Sequence, residues 1–229
     1  MSDHPGPGHR TTARGRRGPG RSDAVTERLD AFGFLSRLDD PLAAVVREAG
    51  PVDAYAMGLP IEPHSAVELL AFGICSQQIS QIAATAIFHR LRAALGGTID
   101  PGTIDAADDL TLRAAGLSGN KIRGLRGLAE HVRTGRLQIA RIGQMSDDEL
   151  FGQLVAVPDI GPWSAQVFMM AYAHRPDVFP AADLGLRAAI AVLDGLPRPV
   201  TARAGERRSA VWRPYRSYAS RYLWGLLPR

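Results

Sequence analysis

Residues 157–186 read VPDIGPWSAQVFMMAYAHRPDVFPAADLGL. A Gly/Pro turn, Pro158 to Pro162, opens an apolar helix that carries Trp163, and one carboxylate, Asp183, then stands among Phe, Pro, Ala and Leu. Gly161 is free to take a positive φ, and Pro162 suits the first helical position, where a missing N–H costs no hydrogen bond. Amides left open at such a helix start can hold a phosphate without reading sequence. Any two helices joined by a tight turn would also use these residues. Asp183 has the place of an N-cap for a helix over 183–194.

The same punctuation extends on both sides. LAAVVREAG ends a short helix at Gly50. Apolar residues recur at helical spacing through 64–95, with the polar SQQISQ interrupting them, and a Gly-Gly pair closes the run. Further helices are expected over 108–115, 118–134 with Ser118 as N-cap, 147–155, 162–174 and 214–226. No stretch alternates with a period of two, so the expected fold class is all-α, in two helical lobes, one of them built from about 64–160. The stretch 64–78 is apolar almost all round, which places it at the centre of a core.

Composition narrows the function. The chain has 229 residues, 45% apolar and 22% charged, with no apolar run long enough to span a membrane. Its first 22 residues are rich in Gly, Pro and Arg and have no apolar segment, so they read as a disordered basic arm rather than a secretory signal. Residues 23–229 then form the helical domain. Cys75 is the only cysteine, which excludes a disulfide framework, a four-cysteine zinc site and an iron–sulfur cluster, and suits a reducing, cytoplasmic setting. The net charge is +4, and residues 196–229 carry eight Arg against one Glu. That concentration fits either a face for a polyanion or a solvated Arg-rich surface. Lys121 is the only lysine.

Four stretches, LLAFGICSQQIS, AGLSGNKIRGLRGLA, VPDIGPWSAQ with its following FPAADLGL, and WRPYRSYASRYLW, occur in one order. Together they resemble the helix-hairpin-helix (HhH-GPD) DNA glycosylases, the 3-methyladenine DNA glycosylase II branch above all, over residues 41–227. The N-terminal mixed β domain of some members has no counterpart. The resemblance implies a monomer that acts on double-stranded damaged DNA near the nucleoid. It implies no cofactor, with a monovalent cation at the hairpin as the one candidate ion. It assigns the catalytic carboxylate to Asp183 and phosphate contacts to Asp159, Ile160 and Gly161, although Asp159 stands where the family pattern has a glycine. Asp tolerates left-handed geometry better than most residues.

By the same resemblance Trp163 and Trp224 line the base pocket, Gln78 is the wedge that fills the gap left by a flipped nucleotide, and Arg213 and Arg216 contact phosphates. Val167 and Leu184 stand where some relatives place tyrosines. Tyr215, Tyr218 and Tyr222 share one helical stripe and read as core. Related bifunctional enzymes carry a Schiff-base lysine at the position of Trp163, so a monofunctional glycosylase is implied.

The chemistry suits a lone carboxylate. Breaking an N-glycosidic bond builds positive charge on the sugar, which a carboxylate at about 4 Å stabilises by up to roughly 4 kcal/mol at an effective dielectric near 20, about a thousandfold in rate. It can also orient a water. Two alternatives stay open at this level: a damaged-DNA-binding protein without catalysis, and a glycosylase for deaminated bases such as hypoxanthine.

Overall fold

The computed structural model describes residues 21–227. The expected arm over 1–22 therefore lies outside the described residues except for its last two positions, which already belong to the first helix, α1 (Arg21–Leu35). α2 (Leu42–Ala49) follows and ends on Gly50, as its sequence predicts. The stretch 64–95 resolves into α3 (Ala66–Ser76) and α4 (Gln81–Ala94), and the polar interruption becomes the turn between them. Next come α5 (Pro101–Ala106), α6 (Asp109–Ala114), α7 (Gly119–Arg133) and α8 (Asp147–Val155). The series closes with α9 (Pro162–Ala171), α10 (Leu184–Leu193), α11 (Ala202–Ser209) and α12 (Arg216–Gly225). No strand occurs among the described residues, so the fold is all-α.

Two apolar cores define two lobes. One is drawn from residues between Ile61 and Val178 and holds α3 to α9. The other joins Ala31–Ala54 to Phe179–Leu223, so that α1 and α2 pack with α10 and α12. The lobe holding α3 to α9 is thus an insertion between two halves of the other.

α3 is the centre of the inserted lobe, with nine of its eleven residues buried. Its start is fixed by Ser65, which caps Glu68, and by the buried Glu68 carboxylate, which accepts from the His64 amide at 2.7 Å and Arg92 at 2.6 Å. Burial opposes ionisation of Glu68, but these donors and the Ile99 amide together hold its pKa below the ordinary value. α7 crosses α3 and offers a notch to the turn before α9. A Cβ at Gly124 would stand 2.9 Å from Asp159 Oδ2, and one at Gly127 would stand 3.0 Å from Pro158 Cγ. These two glycines let the turn lie directly against the helix.

The discontinuous lobe is tied across its two halves. Tyr218 of α12 and Tyr55 both donate to Glu27 of α1, the former at 2.8 Å. Arg208 of α11 pairs with Asp40 at 2.7 Å and Asp194 at 2.9 Å, with its guanidinium over the Trp212 ring. Tyr218 and Tyr222 are core residues, as their stripe predicts.

Candidate active site

The turn between α8 and α9 folds as a hairpin with one exchange of roles. The positive φ falls on Asp159, at 64°, whereas Gly161 is extended at φ −79° and ψ 170°. Gly161 matters not for its backbone freedom but because it brings no capping side chain. Every helix from α3 to α11 except α9 begins on a Ser, Thr or Asp whose side chain accepts from a first-turn amide. α9 begins on Gly161 and has no such cap. The amides of Trp163 and Ser164 belong to the first turn, where a helix offers no internal acceptor. Ile160 is buried, and its amide donates to the Val157 carbonyl at 3.1 Å, so its side chain anchors the turn from beneath.

Asp183 is the N-cap of α10, and its carboxylate does more than cap. Oδ1 accepts from the Leu186 amide at 2.8 Å and from Trp224 Nε1 at 3.1 Å, while Oδ2 accepts from Trp163 Nε1 at 2.8 Å. A carboxylate offers about four acceptor positions, so these three donors leave one, on Oδ2. All three are neutral, so they fix orientation without cancelling charge. Gly185 makes room for the arrangement, since a Cβ there would lie 3.0 Å from Asp183 Oδ1 and 3.6 Å from Trp224 Cδ1.

Beside this carboxylate a cleft of about 610 Å³ opens between α9 and the α3–α4 turn, with Leu69, Phe72, Ile160, Val167 and Phe168 among its walls. Trp163 lines it too, and its indole edge reaches Asp183, so one side chain joins the cavity to the carboxylate. No Arg or Lys side chain lines the cleft. Such a space accepts a flat aromatic group by burial and stacking against its apolar walls, with Gln77, Gln78, Gln81 and Ser164 supplying polar groups elsewhere in its lining.

The HhH-GPD family model, described as a superfamily of base excision DNA repair proteins, matches residues 72–214, which include most of the cleft's lining, the hairpin and Asp183. The chain belongs to this family. Among HhH-GPD relatives, DNA-3-methyladenine glycosylase 1 of Schizosaccharomyces pombe is 30% identical over 207 residues, covering 89% of this chain and 90% of that protein. The solved structure of S. pombe Mag1, a 3-methyladenine DNA glycosylase in complex with abasic DNA, superposes with a TM-score of 0.73 at 30% identity. It aligns with 85% of this chain and 95% of that one. A Bacillus halodurans DNA-3-methyladenine glycosidase gives a TM-score of 0.76 at 31% identity, over 85% of this chain and 88% of its own.

Several expected site residues of this HhH-GPD chain have other surroundings than the sequence suggests. Trp224 is not among the walls of the cleft; it packs between the two cores and meets Asp183 from the discontinuous lobe. Leu184 is exposed and is no wall either. Arg216 is only 9% exposed and is bound to Asp177 at 2.7 Å and Glu206 at 3.0 Å, a structural ion pair that withdraws it from phosphate contact. Arg213 stays exposed, with its guanidinium 3.4 Å from Asp177.

Gln78 projects from the α3–α4 turn at the rim of the cleft, with φ 58°. Its neighbour Gln77 donates from Nε2 to the Asp159 carbonyl at 2.5 Å, and Lys121 Nζ donates to the Cys75 carbonyl at 2.7 Å. Gly185 and the contacts made by Gln77 and Lys121 went unread in the sequence. The Gln-Gln pair and the solitary lysine were the only signals for two of them. Among the described residues no cluster of His, Cys, Asp or Glu could hold a metal ion, and no helix is long and apolar enough to cross a membrane.

Proposed function

We propose that this chain is a monofunctional DNA glycosylase that removes alkylated purines of the 3-methyladenine type from damaged duplex DNA and leaves an abasic site. The observation that carries the reading is the Asp183 carboxylate, oriented by two indoles and a backbone amide beside an apolar cleft. The relatives named for 3-methyladenine support the lesion class.

In this reading the uncapped start of α9 holds a backbone phosphate through the amides of the hairpin, and Arg213 adds a flexible contact. The target nucleotide leaves the stack, its base enters the cleft against Trp163, and Gln78 fills the vacated space. The C1′–N bond breaks with its electron pair going to the base. A base already positive through alkylation departs without an added proton, so the cleft need not supply an acid. The charge left on the sugar faces the remaining acceptor position on Asp183 Oδ2. Water adds its oxygen to C1′ there and gives up its proton to the carboxylate and then to solvent.

The absence of lyase chemistry is part of the proposal. Trp163 occupies the position of the Schiff-base lysine of related enzymes, and the amine of Lys121 is engaged by a carbonyl at the end of α3. The enzyme works as a monomer without a cofactor, with a monovalent cation at the hairpin as the single candidate ion. The test is release of free 3-methyladenine from methylated duplex DNA, followed by chromatography, for the wild type and Asp183→Asn. Release by the wild type alone supports the reaction and its carboxylate. Equal release by both refutes the assignment, and strand breaks formed without alkali refute monofunctionality.

A further inference from the structure

The turn between α3 and α4 is held at two points by residues that the reaction above does not use. The last carbonyls of a helix have no internal donor, and they form its negative end. At α3 the amine of Lys121, reaching from the first turn of α7, supplies both a donor and a positive charge to the Cys75 carbonyl at 2.7 Å. Two residues onward Gln77 leaves the helix in an extended conformation and sends its side-chain amide across 82 positions to the Asp159 carbonyl. Asp159 is the left-handed residue of the hairpin, at φ 64°, and Gln78, beside Gln77, is also left-handed, at φ 58°. A residue with a side chain holds this conformation only where its surroundings over-determine it. Here one hydrogen bond ties Asp159 to Gln77, the residue next to Gln78.

We propose that Gln77 and Lys121 are positioning residues that latch the wedge loop to the hairpin, so that a phosphate held by the hairpin and Gln78 in the base stack are kept in fixed register. The proposal rests on the reading of Gln78 as the wedge. A wedge opposes the return of the flipped nucleotide only if its own loop does not yield. Loosening the latch therefore slows base release where flipping is costly, at a paired lesion, more than where the lesion has no partner.

The experiment measures single-turnover release of 7-methylguanine with enzyme in saturating excess, from a duplex with the lesion opposite cytosine and from one with it opposite an abasic-site analogue. The wild type, Gln77→Met, Lys121→Met and Gln78→Ala are compared by the ratio of the paired to the unpaired rate. For both latch variants that ratio falls about tenfold, the effect of losing one positioning hydrogen bond, and Gln78→Ala moves it in the same direction. Fluorescence of 2-aminopurine placed next to the lesion reports a smaller flipped fraction for the same variants. Gln77→Met, altered at a half-exposed side chain, carries the test if Lys121→Met does not fold. An equal loss on both duplexes, or no loss on either, overturns the latch. If Gln78→Ala leaves the ratio at the wild-type value, the wedge assignment fails and the latch fails with it. If Gln78→Ala lowers the ratio and Gln77→Met does not, only the latch is overturned.

Discussion

α9 opens on Gly161 with no side chain over its first amides, whereas α10, in the other lobe, opens on Asp183, whose Oδ1 accepts from its own Leu186 amide. A helix start attracts negative charge through its amides and its dipole. At α9 no side chain caps the first turn, so its amides stay open to an anion such as the proposed phosphate. At α10 the demand is met by one oxygen of a carboxylate, and the second, bound by Trp163, keeps one open acceptor position. The two helix starts thus leave open groups of opposite polarity, and one side chain decides which.

The most severe way to break this contrast is to neutralise Asp183. Asn caps a helix about as well as Asp, but its amide nitrogen faces the Trp163 N–H, so Asp183→Asn lowers the thermal midpoint by about a few degrees while its affinity for abasic duplex, measured by fluorescence anisotropy, is kept. Base release falls about a thousandfold. Trp163→Phe leaves a ring in the cleft and removes the donor to Oδ2. A charge-assisted hydrogen bond of about 1.5–3 kcal/mol is lost, so single-turnover release slows about ten- to hundredfold with DNA affinity nearly unchanged.

Giving α9 the kind of cap that α10 has inverts the comparison. Position 161 has an extended backbone open to any residue and nothing within 4 Å of an added Cβ. Gly161→Asp raises the thermal midpoint slightly, because Asp at an N-cap is better than Gly by a few tenths of a kcal/mol. It also puts a carboxylate beside the proposed phosphate position, and DNA affinity drops about tenfold, the equivalent of one charge-assisted contact. The smallest expected effect is at Gly185→Ala. The added methyl presses on Asp183 Oδ1 and reduces release a few-fold, roughly the cost of a displacement of tenths of an ångström in an oriented group, while helix propensity alone favours the alanine.

Amphipathic helices were legible because their burial repeats with the helix, and Asp147–Val155 was read to the residue. α1 and α11 were not. In α11 only Gly205 and Ser209 are buried, so ARAGERRS carries no apolar stripe to read. α1 buries little besides Ala31 and Leu35 and draws its place from Glu27, whose partners are remote in sequence. At the site, the residue types at 159–163 and 183 were readable as a turn and a cap. The bonds of Trp163 and Trp224 to Asp183 were not, because the first arises only when the two lobes meet and the second only when α12 packs on α10. Arg216 misled for the same reason: a cationic residue in a basic stretch looks available until Asp177 is brought beside it by the fold.

The interrupted lobe orders events in time. The stretch between Ile61 and Val178 closes a core from contiguous residues and can consolidate as they leave the ribosome. The other lobe waits for α12, since the Tyr218–Glu27 bond joins residues 191 positions apart. The hairpin therefore belongs wholly to a contiguous stretch that is synthesised before α12, whereas the Asp183–Trp224 bond needs α12, the last helix of the chain's described residues.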